Sequence, residues 1–235
     1  MRFLGLRLEH KVPDANAVWL FREKMKELHL ERVLFDRFHE QLAKRGFIAR
    51  AGQMIDATFV EVPRQRNPRE EYALIKADAV PIDWASTKRR QKDVDARWTK
   101  KNNENHYGYK NHINADQAHK LVQDYAVTDA AVHDSQVFAA LLDQTSKEEG
   151  NKRTVYADSA YRSQEHEAKL AADNLPSQIC EKGTRGHPLT DAQKESNRIK
   201  STVRARVEHV FGAQAQMGGH IVRTIGLAKA RVKIG

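Results

Sequence analysis

Three carboxylates stand out, each in a setting where an isolated acid needs a reason. In "TVYADSAYRS" (154–163) a short apolar run turns polar at Asp158. In "MIDATFVEV" (54–62) Asp56 falls inside an alternating strand pattern. In "VRARVEHVFG" (203–212) Glu208 follows Val207, about 100° around the helix from it and at the edge of the apolar stripe. Acids delivered from two strands and a helix could converge, and converging carboxylate oxygens are what a pair of magnesium ions needs. Such a pair activates an attacking oxygen and stabilises a leaving one in phosphodiester displacement. Each acid also has a plainer reading. Asp158 alone suits a turn cap, Asp56 a strand-end acid facing water, and Glu208 an i−4 partner for Arg204. Asp134 is the rival metal candidate, although its place before "SQVFAALLDQ" suits a helix N-cap. His106, His112, His119 and His133 lack zinc-like spacing and read as surface or hairpin residues.

The elements that must position these acids follow from periodicity. Residues 14–46 predict two helices, the first capped by Asp14 with Val18, Phe21, Met25 and Leu28 at helical spacing. The second carries Val33, Leu34, Phe38 and Leu42 and ends at Gly46; such a pair reads as ordinary helical packing or as a DNA-binding module. The first strand alternates Ile55, Ala57 and Phe59 with Asp56, Thr58 and Val60. Residues 63–105 hold eleven Lys or Arg against seven Asp or Glu, with Trp84 and Trp98, and little periodicity. They read as an insertion or long loop. "GYKNHINAD" and "HKLVQDYAVT" form a hairpin turning near Ala115-Asp116. Then come the helix capped by Asp134, a Lys/Glu/Gly loop, the strand ending at Asp158, the helix "SQEHEAKLAADN" and the strand "PSQIC". The loop "KGTRGHP" lacks the Gly-Lys-Ser/Thr ending of a phosphate-binding loop. A last long helix starts near Thr190, carries Ile199, Val203, Val207, Val210 and Phe211, and stops at Gly218-Gly219. Strands and helices alternating after a meander imply an α/β mixed sheet with helices on both faces.

Composition narrows the class. The 235 residues suit one large domain, or a core with an appended helical piece. A mean hydropathy of −0.72 and no long apolar run exclude a membrane span, and Arg7, Glu9 and Lys11 interrupt any secretory signal. The single Cys180 excludes an internal disulfide and has no CxxC partner for zinc, which points to a reducing compartment. A net charge of +9 favours a polyanionic partner, with a solubilising surface as the alternative.

The stretches "MIDATFVEVPRQRN", "QKDVDARWTKKN", "HYGYKNHINAD", "AVTDAAVHDS", "VYADSAYRS" and "VRARVEHVFG", in that order, resemble the Asp-Asp-Glu transposases of bacterial insertion sequences. The resemblance is to the family typified by insertion sequence five and covers nearly the whole chain. It implies a ribonuclease H-like fold over 51–235, with the insertion 63–105, after an N-terminal helical segment 1–50. By position Asp56, Asp158 and Glu208 would be the catalytic and metal-binding triad, served by Mg²⁺ or Mn²⁺. The family's signature around the glutamate is Tyr, two residues, Arg, three residues, Glu, six residues, Lys. Arg204 and Glu208 fit it, while Ser201 and Ala215 stand at the Tyr and Lys positions. The implied activity is cleavage at element ends and strand transfer into target DNA. It would be carried out by a homo-oligomer on double-stranded DNA, in the cytoplasm at the nucleoid and away from membranes. Lys100, Lys101, Lys110, Arg162 and Arg204 are the candidate DNA contacts, with a solvated basic surface as the plainer reading. The rivals are another metal-dependent nuclease of this fold and an inactive DNA-binding remnant or regulator. Relatives carry further helices at both ends, so the chain is expected to be truncated, exposing Phe3, Leu4, Ile225 and Leu227.

Overall fold

The computed structural model describes residues 7, 10–48, 51–143 and 153–235. Phe3, Leu4 and most of the expected Lys/Glu/Gly loop lie outside the described residues. The centre is β1 (Gly52–Glu61), in a six-stranded mixed sheet. On one side it pairs antiparallel with β3 (Glu104–Asp116). The far edge of β3 takes two strands in turn, β2 (Arg97–Lys101) and β4 (Val122–Asp129), both antiparallel. On its other side β1 pairs in parallel with β5 (Thr154–Ala157), which in turn pairs with β6 (Ser177–Ile179).

Alternation along β1 divides the core. Ile55 packs with Val155, Phe138, Tyr161, Leu170 and Ile179 on the face covered by α5 (Phe138–Leu141) and α6 (Gln164–Ala172). Met54 points the other way and, with Ile113 and Ala115, meets Val207 and Phe211 of the last long helix. Each large aliphatic side chain so enclosed contributes about 1.5–3 kcal/mol. A third cluster joins Val60, Tyr107, Tyr109 and Val127 to Val222 and Ala230 of the C-terminal segment. Because Asp56 shares its face with Met54, it must look toward that same long helix.

That helix begins where expected. Thr190 caps it, its hydroxyl accepting from Gln193 N (3.2 Å) while Gln193 Oε1 accepts from Thr190 N (2.9 Å). It runs as α7 (Asp191–Arg204), tightens into a 3₁₀ turn at Ala205–Val207, and resumes as α8 (Glu208–Gln216). Gly218, with φ +80°, follows its end. Ile199, expected on the buried stripe, is exposed, because at that turn Asn197 and Lys200 face the end of β6, bonding Glu181 O and Ile179 O, and Ile199 lies off that side.

The expected N-terminal pair is present as α1 (Ala15–Glu27) and α2 (Leu30–Lys44), Asp14 Oδ1 accepting from Ala17 N (2.7 Å). Neither helix has a buried residue. Residues 63–105 are not a loop. They fold into α3 (Arg69–Lys76), α4 (Ser86–Gln91) and the hairpin strand β2, whose two-residue turn Asn102-Asn103 has both φ angles positive. What the sequence hid is one polar anchor. The buried Asp93 accepts from Asp95 N and Ala96 N (both 3.0 Å), from the Tyr109 hydroxyl (2.7 Å) and from Gly226 N (3.1 Å). Asp95 Oδ2 accepts from Leu227 N (2.8 Å), so two carboxylates meet the N-terminus of α9 (Leu227–Ile234). Gly108 is required where β1 and β2 both pair with β3: its φ is +148° and a Cβ would lie 2.3 Å from Val60 O.

Smaller expectations shift too. The β3–β4 turn falls at 117–120, after Asp116 rather than at Ala115-Asp116. Asp134 caps no helix; it starts a 3₁₀ turn (Asp134–Gln136) capped by the His133 side chain, because its carboxylate is taken by Lys110 at 2.9 Å. Ile225 is exposed and Leu227 half-buried against the third cluster. Among the described residues no helix is long and apolar enough to cross a membrane.

Candidate active site

Strand register brings the two aspartates together. β1 and β5 run parallel with Met54 opposite Tyr156 and Ile55 opposite Ala157. Asp56 and Asp158 are the next residue on each chain, and neighbouring strands lie about 4.8 Å apart. Asp56 is buried, at 7% exposure, with Oδ1 accepting from Ala57 N (2.8 Å) and Oδ2 accepting from the Arg204 guanidinium (2.6 Å). Asp158 is half-buried and caps the 3₁₀ turn Ser159–Tyr161, Oδ1 accepting from Ala160 N (2.8 Å). The turn-cap reading of Asp158 therefore holds, and it uses only one of the two oxygens.

The electrostatics match this crowding. Burial pushes the Asp56 carboxyl above its ordinary pKa; Arg204 and the Ala57 amide oppose that, and the neighbouring Asp158 charge adds to it. Burial works against the charged Arg204, but the Asp56 and Asp158 carboxylates hold its pKa above the usual value. Behind them the Tyr161 hydroxyl is buried without a hydrogen-bond partner among the described residues, its pKa raised by burial and then by Asp56, Asp134 and Asp158. Asp158 and Arg204 open onto a cleft of about 560 Å³, walled by Glu181 and Lys182 after β6 and by Asn197 and Ser201 of α7. Sequence reasoning passed over Glu181, Lys182 and Asn197; their only signal was position, just past a parallel strand end or one to two turns before Arg204.

Glu208 is not gathered with the pair. It is exposed, lies outside that cleft, and makes no hydrogen bond or ion pair among the described residues, including none to Arg204. The 3₁₀ turn is the physical reason. At about 120° per residue instead of 100°, three such residues add roughly 60° to the ~40° that separates i and i+4 in an α-helix, so Glu208 lies about 100° around from Arg204. Among the described residues no three acids, histidines or cysteines are grouped to hold a metal. The Asp56–Asp158 pair still suits a hard divalent cation: two carboxylates at neighbouring register positions, one buried beside a guanidinium and the other lining the cleft.

The remaining candidates divide. Lys100 and Lys101 are exposed beside the β2–β3 turn. Lys110 is buried, donating to Val132 O (2.7 Å) and Asp134 (2.9 Å), and so is corrected from DNA contact to internal ion pair. Asp134 is spent in the same pair. Arg162 ties down Glu181 (3.0 Å) and Ile179 O (3.2 Å) at the edge of the cleft. His112 is fully buried rather than at the surface.

A mixed sheet ordered this way and flanked by helices, with one aspartate in the central strand and another just past the adjacent parallel strand, is consistent with the ribonuclease H-like class. Residues 47–235 match the transposase DDE domain family, and the chain belongs to it. No solved structure matches the chain.

Proposed function

We propose that this chain is a DNA transposase of the insertion-sequence type resembling the family of insertion sequence five. In this reading it cuts phosphodiester bonds at element ends and joins the freed 3′ hydroxyl to target DNA. The observation that supports the reading is the in-register nearness of Asp56 and Asp158 on adjacent parallel strands, with Asp158 and the Arg204 partner of Asp56 lining a cleft. Asp56 and Asp158 would hold a divalent ion, magnesium or manganese, while Glu208, the third acid of the family's triad by position, lies outside the cleft. When bound, such ions supply positive charge to the displaced oxygen and lower the pKa of the attacking one. The chain's own residues do the positioning. The Ala57 and Ala160 amides hold the two carboxylates, and Arg204 opposes the burial that raises the Asp56 pKa. Arg204 also lines the cleft, where a guanidinium can grip a phosphate in a bidentate manner.

One observation favours a second reading, an inactive DNA-binding remnant: Glu208 faces solvent and Arg204 occupies Asp56. Asp158→Asn separates the two. It removes a ligand charge without changing shape, so magnesium-dependent nicking of end-containing DNA should vanish while DNA binding persists. Nicking by the variant at the wild-type rate would remove Asp158 from the mechanism. A wild-type chain that binds DNA but never nicks it would establish the remnant.

A further inference from the structure

Away from the aspartates, α1, α4 and α9 enclose a groove of about 320 Å³. Six cations line it: Arg22 and Lys26 from α1, Arg90 from α4, Arg223 from the preceding segment, and Lys229 and Lys233 from α9. Against them stands one carboxylate, Glu23, which Lys26 and Lys229 share, the latter at 3.2 Å. Arg22, Arg90, Arg223 and Lys233 are exposed and have no ion pair among the described residues. Some exposed cations elsewhere are paired with acids, as in Arg32 with Asp36 and Arg198 with Glu195, and others stand alone; what marks the groove is that four unpaired cations from four separate segments meet there. Four unpaired cations around one groove repel one another, and that repulsion is relieved by a polyanion.

Two further features point the same way. The groove runs on past Arg223, Thr224 and Ile225 into a second depression of about 210 Å³, bounded by Pro63 and Arg64, so the basic surface is a track and not a single-ion pocket. At the junction the Thr224 hydroxyl is buried with no hydrogen-bond partner among the described residues. Trp19, 57% exposed, supplies an apolar wall. Much of the lining comes from α1, which lies before the family-matched residues 47–235, so the track is not a feature of the DDE domain alone.

We propose that this track binds the phosphate backbone of duplex DNA without reading its sequence. It holds DNA on the chain independently of the aspartate pair. The proposal rests on the DNA-acting reading above and assigns it a surface that the exposed hairpin lysines do not share. Arginine predominates among the unpaired cations, which suits phosphate better than a scattered solubilising charge would.

The test is fluorescence anisotropy of labelled duplexes of two unrelated sequences, titrated in EDTA over a range of KCl concentrations. Arg22→Gln combined with Arg223→Gln should weaken binding of both sequences by about tenfold or more and lower the salt slope by about two. Arg37→Gln combined with Lys44→Gln, exposed cations of α2 outside the groove, removes the same charge and should change affinity far less. Circular dichroism should show both double variants folded, since all four side chains are exposed. Equal losses in the two double variants, or wild-type affinity and slope in the groove variant, would overturn the track while leaving the transposase reading intact. Metal-free conditions keep the aspartates out of the measurement. Failure of the wild-type chain to bind any duplex would instead overturn the DNA-acting reading itself, and the track with it.

Discussion

His112 shows how a single side chain becomes a pH sensor for stability. It is fully buried, Nε2 lies 2.8 Å from Thr128 Oγ1, and the Thr128 hydroxyl itself donates to Asp129 O. The threonine oxygen must therefore accept from Nε2–H, which leaves Nδ1 as the unprotonated nitrogen, buried and unpartnered. Burial lowers the His112 pKa to about 4; Asp134 opposes this and Lys110 adds to it. In the unfolded chain the imidazole titrates near 6.5. Between those values the unfolded state binds more protons, so stability is complete above about 6.5 and falls as the pH drops toward 4. The loss amounts to about 3 kcal/mol at most. Urea denaturation across that range should show the slope in the wild type and a flatter profile in His112→Asn. Parallel profiles would mean that other groups set the acid limit.

At the scale of elements, the basic segment 63–105 is held by acids rather than by apolar packing alone. Asp93 joins its own turn, the Tyr109 ring of β3 and the start of α9, so one carboxylate fixes three elements. A charged acceptor with several donors is worth more than one ordinary hydrogen bond. Asp93→Ala should therefore lower unfolding free energy by about 3 kcal/mol, and Tyr109→Phe by about 1 kcal/mol. Equilibrium urea curves for the two variants check this, and a loss for Asp93→Ala no greater than for Tyr109→Phe would deny the anchor its role. The same anchor sets the start of α9, which supplies one wall of the basic track.

Across the whole molecule, stability is uneven. β1 and β3 carry most of the buried residues of the sheet, whereas α1 and α2 carry none and expose Trp19, Phe21, Leu34 and Phe38. Local opening costs least where few apolar contacts are lost. Hydrogen exchange followed by mass spectrometry should find the amides of 15–44 exchanging first and those of 53–60 and 109–115 last. Protection of α1 equal to that of β1 would show that the N-terminal pair is part of one cooperative core.

The sequence by itself determined the order of the main strands and helices outside 63–105, the strand that carries Asp56, the strand that stops just before Asp158, and the helix cap at Thr190. These are local: side-chain alternation, helical spacing and a reciprocal cap act over a few residues and can be read along the chain. Only tertiary structure decided the partners. Arg204 could have paired with Glu208 one turn on, but the sheet offers it the buried Asp56, and the 3₁₀ turn carries Glu208 out of line. Lys110 looked like a surface cation until β3 took a central place, where burial demanded the Asp134 carboxylate. The order hidden in 63–105 likewise depended on donors from residues far along the chain, at Tyr109, Gly226 and Leu227. A charge chooses its partner through space, because desolvation penalises whichever group is left alone, and no periodicity records that choice.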